Sequence, residues 1–511
     1  MLAAASTAHA GGLYLPGNGP VSVARAGAAV VSLDDPSAIG VNPAALAGTE
    51  GTVAYVGSSL VSFNLTFGRY GSYEADPVHP QPWDGQPYGA VSDTSKPAIG
   101  VGPYQAVPVI GIASNLRGKL KGVVIAAGVY APTAYPSRKL GADYTFEDPT
   151  VPPPPTRYDV VEQKAAVVLP SIAVAYRPTA KLDLGARFSA GLGDIEATTY
   201  TWGLSNFTEW VGNDSRFHVK VKDNFIPAFG LGAKYRITPA IEVAAAWSSA
   251  VPVRAKGTGD AVAGSGAMLN MRLPEVIPVD DAMARCAKGG AKGAIAACVN
   301  FDLPQTVALG GRYVVRDAGG AEVADVELDV NWEQWSAATN QDVIVDGDLS
   351  YDGTTSTFQI QPSTIKHNFK DVVSVRLGGS YQRDLGPGRV TLRGGAAYDT
   401  TTARDGWQRV DLDGAARTTL AAGASLGLKK VRIDVGGGYV YEGTRTQGVG
   451  CNPPRANTGC DGGAPLPPGQ RTGPDPIQPL AEAGSQQQSP FNEGAIKSGY
   501  TLLMVGVSTW F

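Results

Sequence analysis

Gly499-Tyr-Thr-Leu-Leu-Met-Val-Gly-Val-Ser-Thr-Trp-Phe511 decides the fold. Val505, Val507 and Phe511 share one parity, with Thr509 between them. A side-chain period of two marks a strand with two unlike faces. A strand that runs to a final aromatic residue is expected to pair along its whole length. Closing onto an earlier strand satisfies that need. The stretch therefore predicts a closed barrel, which the rest of the chain can test.

The 511 residues carry 43% hydrophobic and 17% charged side chains, with 65 glycines and 20 tyrosines. That balance suits turn-rich β structure better than a helix bundle. Mean hydropathy is −0.06, and the net charge of −4 gives no sign of nucleic-acid binding. No apolar run approaches the ~18–20 residues of a membrane helix. Val123 to Ala131, among the longest, is broken by Gly128. A helical membrane protein is excluded, but a barrel, with its weak signal per segment, is not.

Residues 1–10, MLAAASTAHA, resemble the tail of a secretory signal, with Ala8-His9-Ala10 as a small-x-small cleavage site. The four cysteines fall into two local pairs, Cys286/Cys298 and Cys451/Cys460. In an exported chain, such spacing in Gly-, Pro- or Ala-rich surroundings predicts disulfides. A zinc site is not expected, because CxxC-like pairs and histidine partners are absent.

Alternation begins at Gly51 and recurs to the end. Fourteen strands are expected, near 51–68, 104–115, 122–131, 164–177, 181–198, 223–237, 241–254, 303–315, 322–336, 371–383, 388–399, 415–428, 431–444 and 497–511. Short turns near Arg117, Pro178, Pro239, Ala318, Pro387 and Lys429 alternate with long loops. That asymmetry is the sidedness of outer-membrane barrels, with short turns periplasmic. An even count puts both ends of the barrel on that side, from which assembly machinery would insert it. Parity then selects the lipid face. Val326, Leu328, Val330 and Trp332 oppose Asp325, Glu327, Asp329 and Glu333, and three later strands repeat the pattern. A lipid-facing Arg at mid-depth costs ~2–4 kcal/mol, so the charged parity is expected inside.

Residues 11–50 are different: small, sparsely charged and not strand-like throughout. Asp34 and Asp35 before Pro36 predict turn or helix-cap chemistry. Gly12-Leu13-Tyr14-Leu15, Ala26-Gly27-Ala28, Asp35 and Asn42-Pro43-Ala44 resemble the plug of the FadL/TodX family, outer-membrane transporters of long-chain fatty acids and other hydrophobic compounds. Further likenesses are Leu303-Pro304-Gln305 at a strand opening, Asn331-Trp332-Glu333-Gln334-Trp335-Ser336 at a strand end, and Val375-Arg376-Leu377-Gly378-Gly379-Ser380-Tyr381. Gln305 departs from the family's acid, and the loops at 69–97, 255–302 and 446–496 are long.

The resemblance implies a 14-stranded antiparallel transmembrane β-barrel, residues 51–511, with an N-terminal hatch, residues 11–50, in its lumen. It implies a monomer in the bacterial outer membrane, no cofactor, and a hydrophobic ligand passed to membrane lipid. Asn42, Pro43 and Ala44 would form the hatch motif. Leu13 and Tyr14 would contact ligand. The family bends its third strand to open a lateral gap, and Gly128 is the candidate kink, with simple tight packing as the equal alternative.

Trp202, Leu204, Phe207 and Trp210 have helical spacing in a long loop, and Met268 and Leu269 lie in the next. Together they are candidates for an apolar ligand groove, against self-packing of the loops. Gly423-Ala424-Ser425-Leu426-Gly427 matches GxSxG, but inside a strand rather than the strand–turn–helix that a nucleophile elbow needs. His9, His79, His218 and His367 are assigned to the signal remnant or to loops, unpaired with Ser425. Asp346, Asp348 and Asp352 are read as solvated loop acids, since no glutamate completes a Ca²⁺ loop. A passive carrier is expected, not an enzyme. A polar-solute porin and an adhesive surface barrel remain as rivals.

Overall fold

The computed structural model describes residues 14–69, 72–73, 80–97, 99–132, 137–141, 150–201, 214–263, 275–280, 283–286, 295–350, 357–360, 362–386, 388–404, 409–447 and 494–511. Its wall has fourteen staves. They are β1 (Thr52–Arg69), β2 (Tyr104–Ser114), β3 (Val123–Tyr130), β4 (Glu162–Thr179), β5 (Leu182–Thr201), β6 (Ser215–Arg236) and β7 (Ile241–Ser248). Then come β8 (Thr306–Arg316), β9 (Glu322–Glu333), β10 (Val372–Leu385), β11 (Gly388–Asp399), β12 (Arg417–Gly427), β13 (Val431–Gln447) and β14 (Gly494–Trp510). Each pairs antiparallel with the next. β14 closes on β1 in continuous register from Val53↔Trp510 to Arg69↔Gly494. Closure leaves the membrane-spanning sheet without a free edge.

The outward parity is apolar where expected. Val326, Leu328 and Val330 are exposed, while Asp325, Glu327 and Asp329 are buried. Val373, Val375 and Leu377 face out and Arg376 in; Ile433, Val435 and Tyr439 face out and Arg432 and Asp434 in. β1 reverses the rule. Its apolar residues Val53, Tyr55, Val61, Leu65 and Phe67 point inward and are buried. The reason is the content of the lumen: Tyr55 and Val61 meet apolar hatch residues, and Leu65 and Phe67 join an apolar cluster with Leu140, Val160 and Val410.

The barrel extends beyond the staves at the long-loop end. Strands Val251–Ala263, Ile295–Leu303 and Asn340–Ser350 continue β7, β8 and β9. The expected loop at 255–302 is thus partly sheet. Lys256, Gly257, Thr258, Gly259 and Asp260 show no apolar alternation of their own, yet both edges are paired, Gly257 lying between Val221 and Ala297 and Gly259 between Val219 and Ile295. His218 is a corollary. It lies in β6, not a loop, between Asp260 at 3.0 Å and Glu196 at 3.3 Å. Asp346 and Asp348 also lie on a strand rather than in a loop, and Asp352 is outside the described residues. Asp346 is buried, accepting from the Cys286 N–H at 2.5 Å and Arg285 Nε at 3.0 Å. Cys286 and Cys298 form the expected disulfide; Cys451 and Cys460 lie outside the described residues.

Two boundaries move at proline. Leu303 closes a strand instead of opening one, and Thr306 begins β8. Pro304 has no N–H for a ladder, and Gln305 is turned to side-chain work. Its amide donates to Gln334 at 2.6 Å and its carbonyl accepts from Trp247 at 3.0 Å. Pro178 falls within β4, so the turn follows it at 180–181. Trp335 begins a 3-10 turn, Trp335–Ala337, that ends β9 at Glu333.

Candidate functional site

Two of the three short helical turns of the hatch begin with an oxygen cap and a proline; the third, Gly19–Ala24, has Pro20 but no side-chain cap. Asp35 accepts from the Ser37 N–H at 2.8 Å, with Pro36 at the first helical position of Pro36–Gly40. Asn42 accepts from the Ala44 N–H at 3.0 Å, with Pro43 opening Pro43–Gly48. Both are efficient starts, because proline lacks an N–H at a place where one would go unused. Asn42 is fully buried, and its amide also donates to the Val30 carbonyl at 2.9 Å. It ties the two halves of the hatch together.

The hatch has two unlike faces. Ala38, Ile39, Ala45 and Leu46 pack on Tyr55, Val109, Val124 and Ala173 of β1 to β4. The other face is electrostatic. Arg25 pairs with Asp325 at 2.7 Å and Glu327 at 3.0 Å on β9. Asp329 accepts from the N–H groups of Ala29 at 2.8 Å and Val30 at 3.0 Å, and Glu327 from Val31 at 2.6 Å. Arg432 of β13 engages Asp34 at 2.9 Å and also Asp35. Lys234 and Arg187 donate to the carbonyls of Val31 and Ile39. Buried carboxylates are tolerable here because each is paired or hydrogen-bonded.

The close approach of hatch to wall requires glycine at several staves, β5 and β6 among them. A Cβ on Gly185 would collide with Pro43 and Ala44, and one on Gly232 with the Asn42 side chain. The high glycine count therefore serves the lumen as well as the turns.

A cavity of about 120 Å³ lies between hatch and wall. Tyr14, Gly40, Tyr130, Leu169, Arg187 and Glu333 are among its lining. Arg187 is buried, with its guanidinium 4.9 Å from the Tyr130 ring. It donates to Ser248 at 3.1 Å but has no carboxylate partner among the described residues. On the lipid side of the same wall lies an apolar groove of about 720 Å³. Val56, Ile110, Gly128, Val129, Pro170 and Ile172 line it. Gly128 and Val129 pair with Ser171 and Pro170, and the next pair, Tyr130 and Leu169, lines the inner cavity. One layer of backbone separates the two spaces. β3 has only 8 residues, and Gly128 keeps unshifted register with β2 and β4. The β4–β5 ladder is interrupted between Val168↔Leu192 and Ser171↔Ser189, where Pro170 offers no N–H.

Loops close the far end. Arg409 pairs with Asp159, Asp411 with His367 at 2.8 Å, and Asp413 with Arg445 at 2.7 Å. Leu65, Phe67, Leu140, Val160 and Ile496 form an apolar cluster with Val410 of this roof. Burial pushes the Asp159 carboxyl up, and the Asp411 charge adds to this against Arg409, to about 6. Burial also opposes the charge of Asp411, but His367 and Arg409 outweigh it and hold that carboxyl below its ordinary value.

Of the residues singled out from sequence, Asn42, Pro43, Ala44 and Tyr14 sit in the lumen, Tyr14 on the cavity and Gly128 on the outer groove. Leu13, Trp202, Leu204, Phe207, Trp210, Met268 and Leu269 lie outside the described residues. Ser425 lies within β12, buried, and its hydroxyl contacts Asp434 and Arg393. Sequence reading passed over Arg187, Tyr130 and Pro170. Pro170 carried a visible signal, a proline in mid-strand, whereas Arg187 gained meaning only from the lack of a carboxylate beside it among the described residues.

The chain was then compared with known proteins. Residues 1–449 match the family model described as outer membrane protein transport protein (OMPP1/FadL/TodX). A search of curated proteins by sequence finds no match. Among solved structures, a Pseudomonas aeruginosa FadL homologue superposes with a TM-score of 0.67 at 14% identity, covering 98% of this chain and 100% of that one. The Ralstonia pickettii toluene transporter TbuX gives 0.59 at 15% identity, covering 97% and 99%. The P. putida toluene transporter TodX gives 0.58 at 13% identity, also covering 97% and 99%. At these identities the structures speak for the fold; the family model covers most of the chain. This closed, plugged barrel belongs to the FadL/TodX family of outer-membrane transport proteins for hydrophobic compounds.

Proposed function

We propose that this protein passes a hydrophobic compound with an acidic head from the cell surface to membrane lipid, without covalent chemistry or an energy source. The observation that carries lateral delivery is the thin wall. The inner cavity and the outer groove meet across paired strands at Gly128–Tyr130 and Leu169–Ser171, where Pro170 weakens the ladder. An apolar solute gains from leaving the lumen without crossing water. Arg187 supports the acidic head: a buried cation lacking a carboxylate is costly until an anion joins it. The cavity volume of about 120 Å³ favours a second reading, a neutral single-ring compound, since an engineered cavity of about 150 Å³ holds benzene.

The hatch fills the lumen that a polar-solute porin would leave open. The closed wall supports a single chain as the working unit. Asn42-Pro43-Ala44 is read as the keystone of the hatch and Gly128 as the yielding point of the wall. The test is a reversible lock. Ala127 and Ile172 are register partners on β3 and β4, and both face outward. An Ala127→Cys/Ile172→Cys pair, in a background with Cys451 and Cys460 replaced by serine, should form a disulfide. Oxidation should cut uptake of a fluorescent fatty acid into proteoliposomes at least tenfold, and reduction should restore it. Equal uptake by the oxidised and reduced forms would refute lateral delivery.

A further inference from the structure

The roof and the N-terminal segment are joined by a continuous run of buried rings. His367 stacks on Phe369 with centroids 4.7 Å apart. Phe369 meets Trp335 edge-on at 5.6 Å, and Trp335 meets Tyr14 at 5.6 Å. His367, Phe369 and Trp335 are each at most 2% exposed. Three of the four rings are also fixed from the side. Asp411 holds His367 at 2.8 Å, Glu333 accepts from the Trp335 indole at 2.7 Å, and the Tyr14 hydroxyl donates to the Pro304 carbonyl at 2.9 Å. Arg417 of β12 adds a second tie, donating to the Tyr14 carbonyl at 2.7 Å.

We propose that His367, Phe369 and Trp335 are positioning residues for Tyr14, so that the roof sets the pose of the N-terminal segment in the cavity. Packed rings have no slack, so a displaced roof leaves a gap that the next ring must fill or tolerate. Tyr14 is the last ring of the run and a wall of the cavity. Opening the roof from outside therefore loosens the segment that occupies the ligand space. Entry and cavity opening become one event rather than two. The inference rests on reading that cavity as the ligand space.

The test uses full-length protein in detergent with Cys451 and Cys460 replaced by serine and a reporter Leu15→Cys, since Leu15 is buried beside Tyr14. Alkylation of the reporter reads the pose of the segment without any ligand. His367→Ala and Phe369→Leu should each speed alkylation, and together they should do no more than the faster single change. A coupling of roughly 2- to 30-fold is expected from such a contact network. Arg389→Ala, at the opposite rim, should leave the rate unchanged. Heat-modifiable migration on gels confirms that each variant is folded. Multiplying single effects, or unchanged rates in folded His367→Ala, would overturn the relay. A parallel titration with 1-N-phenylnaphthylamine separates the two ideas. Coupled alkylation with no probe binding by any form would sink the cavity reading alone, whereas binding with uncoupled alkylation would sink the relay alone.

Discussion

Asn42 shows how much one side chain can carry. Its carbonyl caps one hatch turn and its amide holds Val30 in the other half. Loss of a cap costs about 1 kcal/mol, and a buried carbonyl left without its donor adds about 1–3 kcal/mol. Asn42→Ala should therefore raise amide hydrogen exchange across residues 29–46 by at least tenfold, while exchange in β10 to β12 stays unchanged. Uniform loss of protection would mean that the residue serves the barrel rather than the hatch. The motif Asn42-Pro43-Ala44 was legible through its resemblance to the family's plug, while the cap it makes was revealed by the fold. Gly185 and Gly232, which make room for it, were not, because nothing in β5 or β6 names the partner each must admit.

At the scale of the element, each stave is a strip with one face set by lipid. Leu328 lies on the outward face of β9 between buried Glu327 and Asp329. Leu328→Arg should destabilise the folded barrel by about 2–4 kcal/mol if Leu328 is near mid-depth, read by urea titration in lipid vesicles. A change within about 0.5 kcal/mol, the scale of a neutral surface substitution, would place β9 outside the bilayer. β1 cautions against using parity alone, since Val53, Tyr55, Val61, Leu65 and Phe67 face inward while Val56 faces out. The lumen beside β1 holds Ala38, Ile39 and Leu46, and apolar side chains are as well buried there as against lipid.

At the scale of the whole molecule, the described residues at the long-loop end form a roof whose charges come from segments far apart in sequence. Asp159 has a folded value of about 6 against an ordinary 3.8. A carboxyl raised in the folded state holds its proton there longer than in the unfolded chain. Its contribution to roof stability should therefore decline as pH rises from about 4 to about 6. Asp411 has the opposite sign: held low, it stabilises above its ordinary value and loses that effect as pH falls below it. Exchange in Arg409–Asp413 should accelerate between pH 4 and pH 6, after correction for the intrinsic rate, and Asp159→Asn should flatten that slope. An identical slope in the variant would remove Asp159 as its source.

Sequence alone determined the closed barrel and its fourteen strands, and the resemblance to the family pointed to its plug. Strand parity, alternating turn lengths and capped prolines are local features, so they can be read locally. Only the tertiary structure decided which face of β1 points inward, because that depends on what fills the lumen. Only it joined Pro170 to Gly128 in one thin place in the wall, since strand register is a relation between distant segments. It likewise left Arg187 without a carboxylate among the described residues and lined up His367, Phe369, Trp335 and Tyr14. The terminal stretch ending in Phe511 announced that the chain would close; the space enclosed by that closure decides what it can carry.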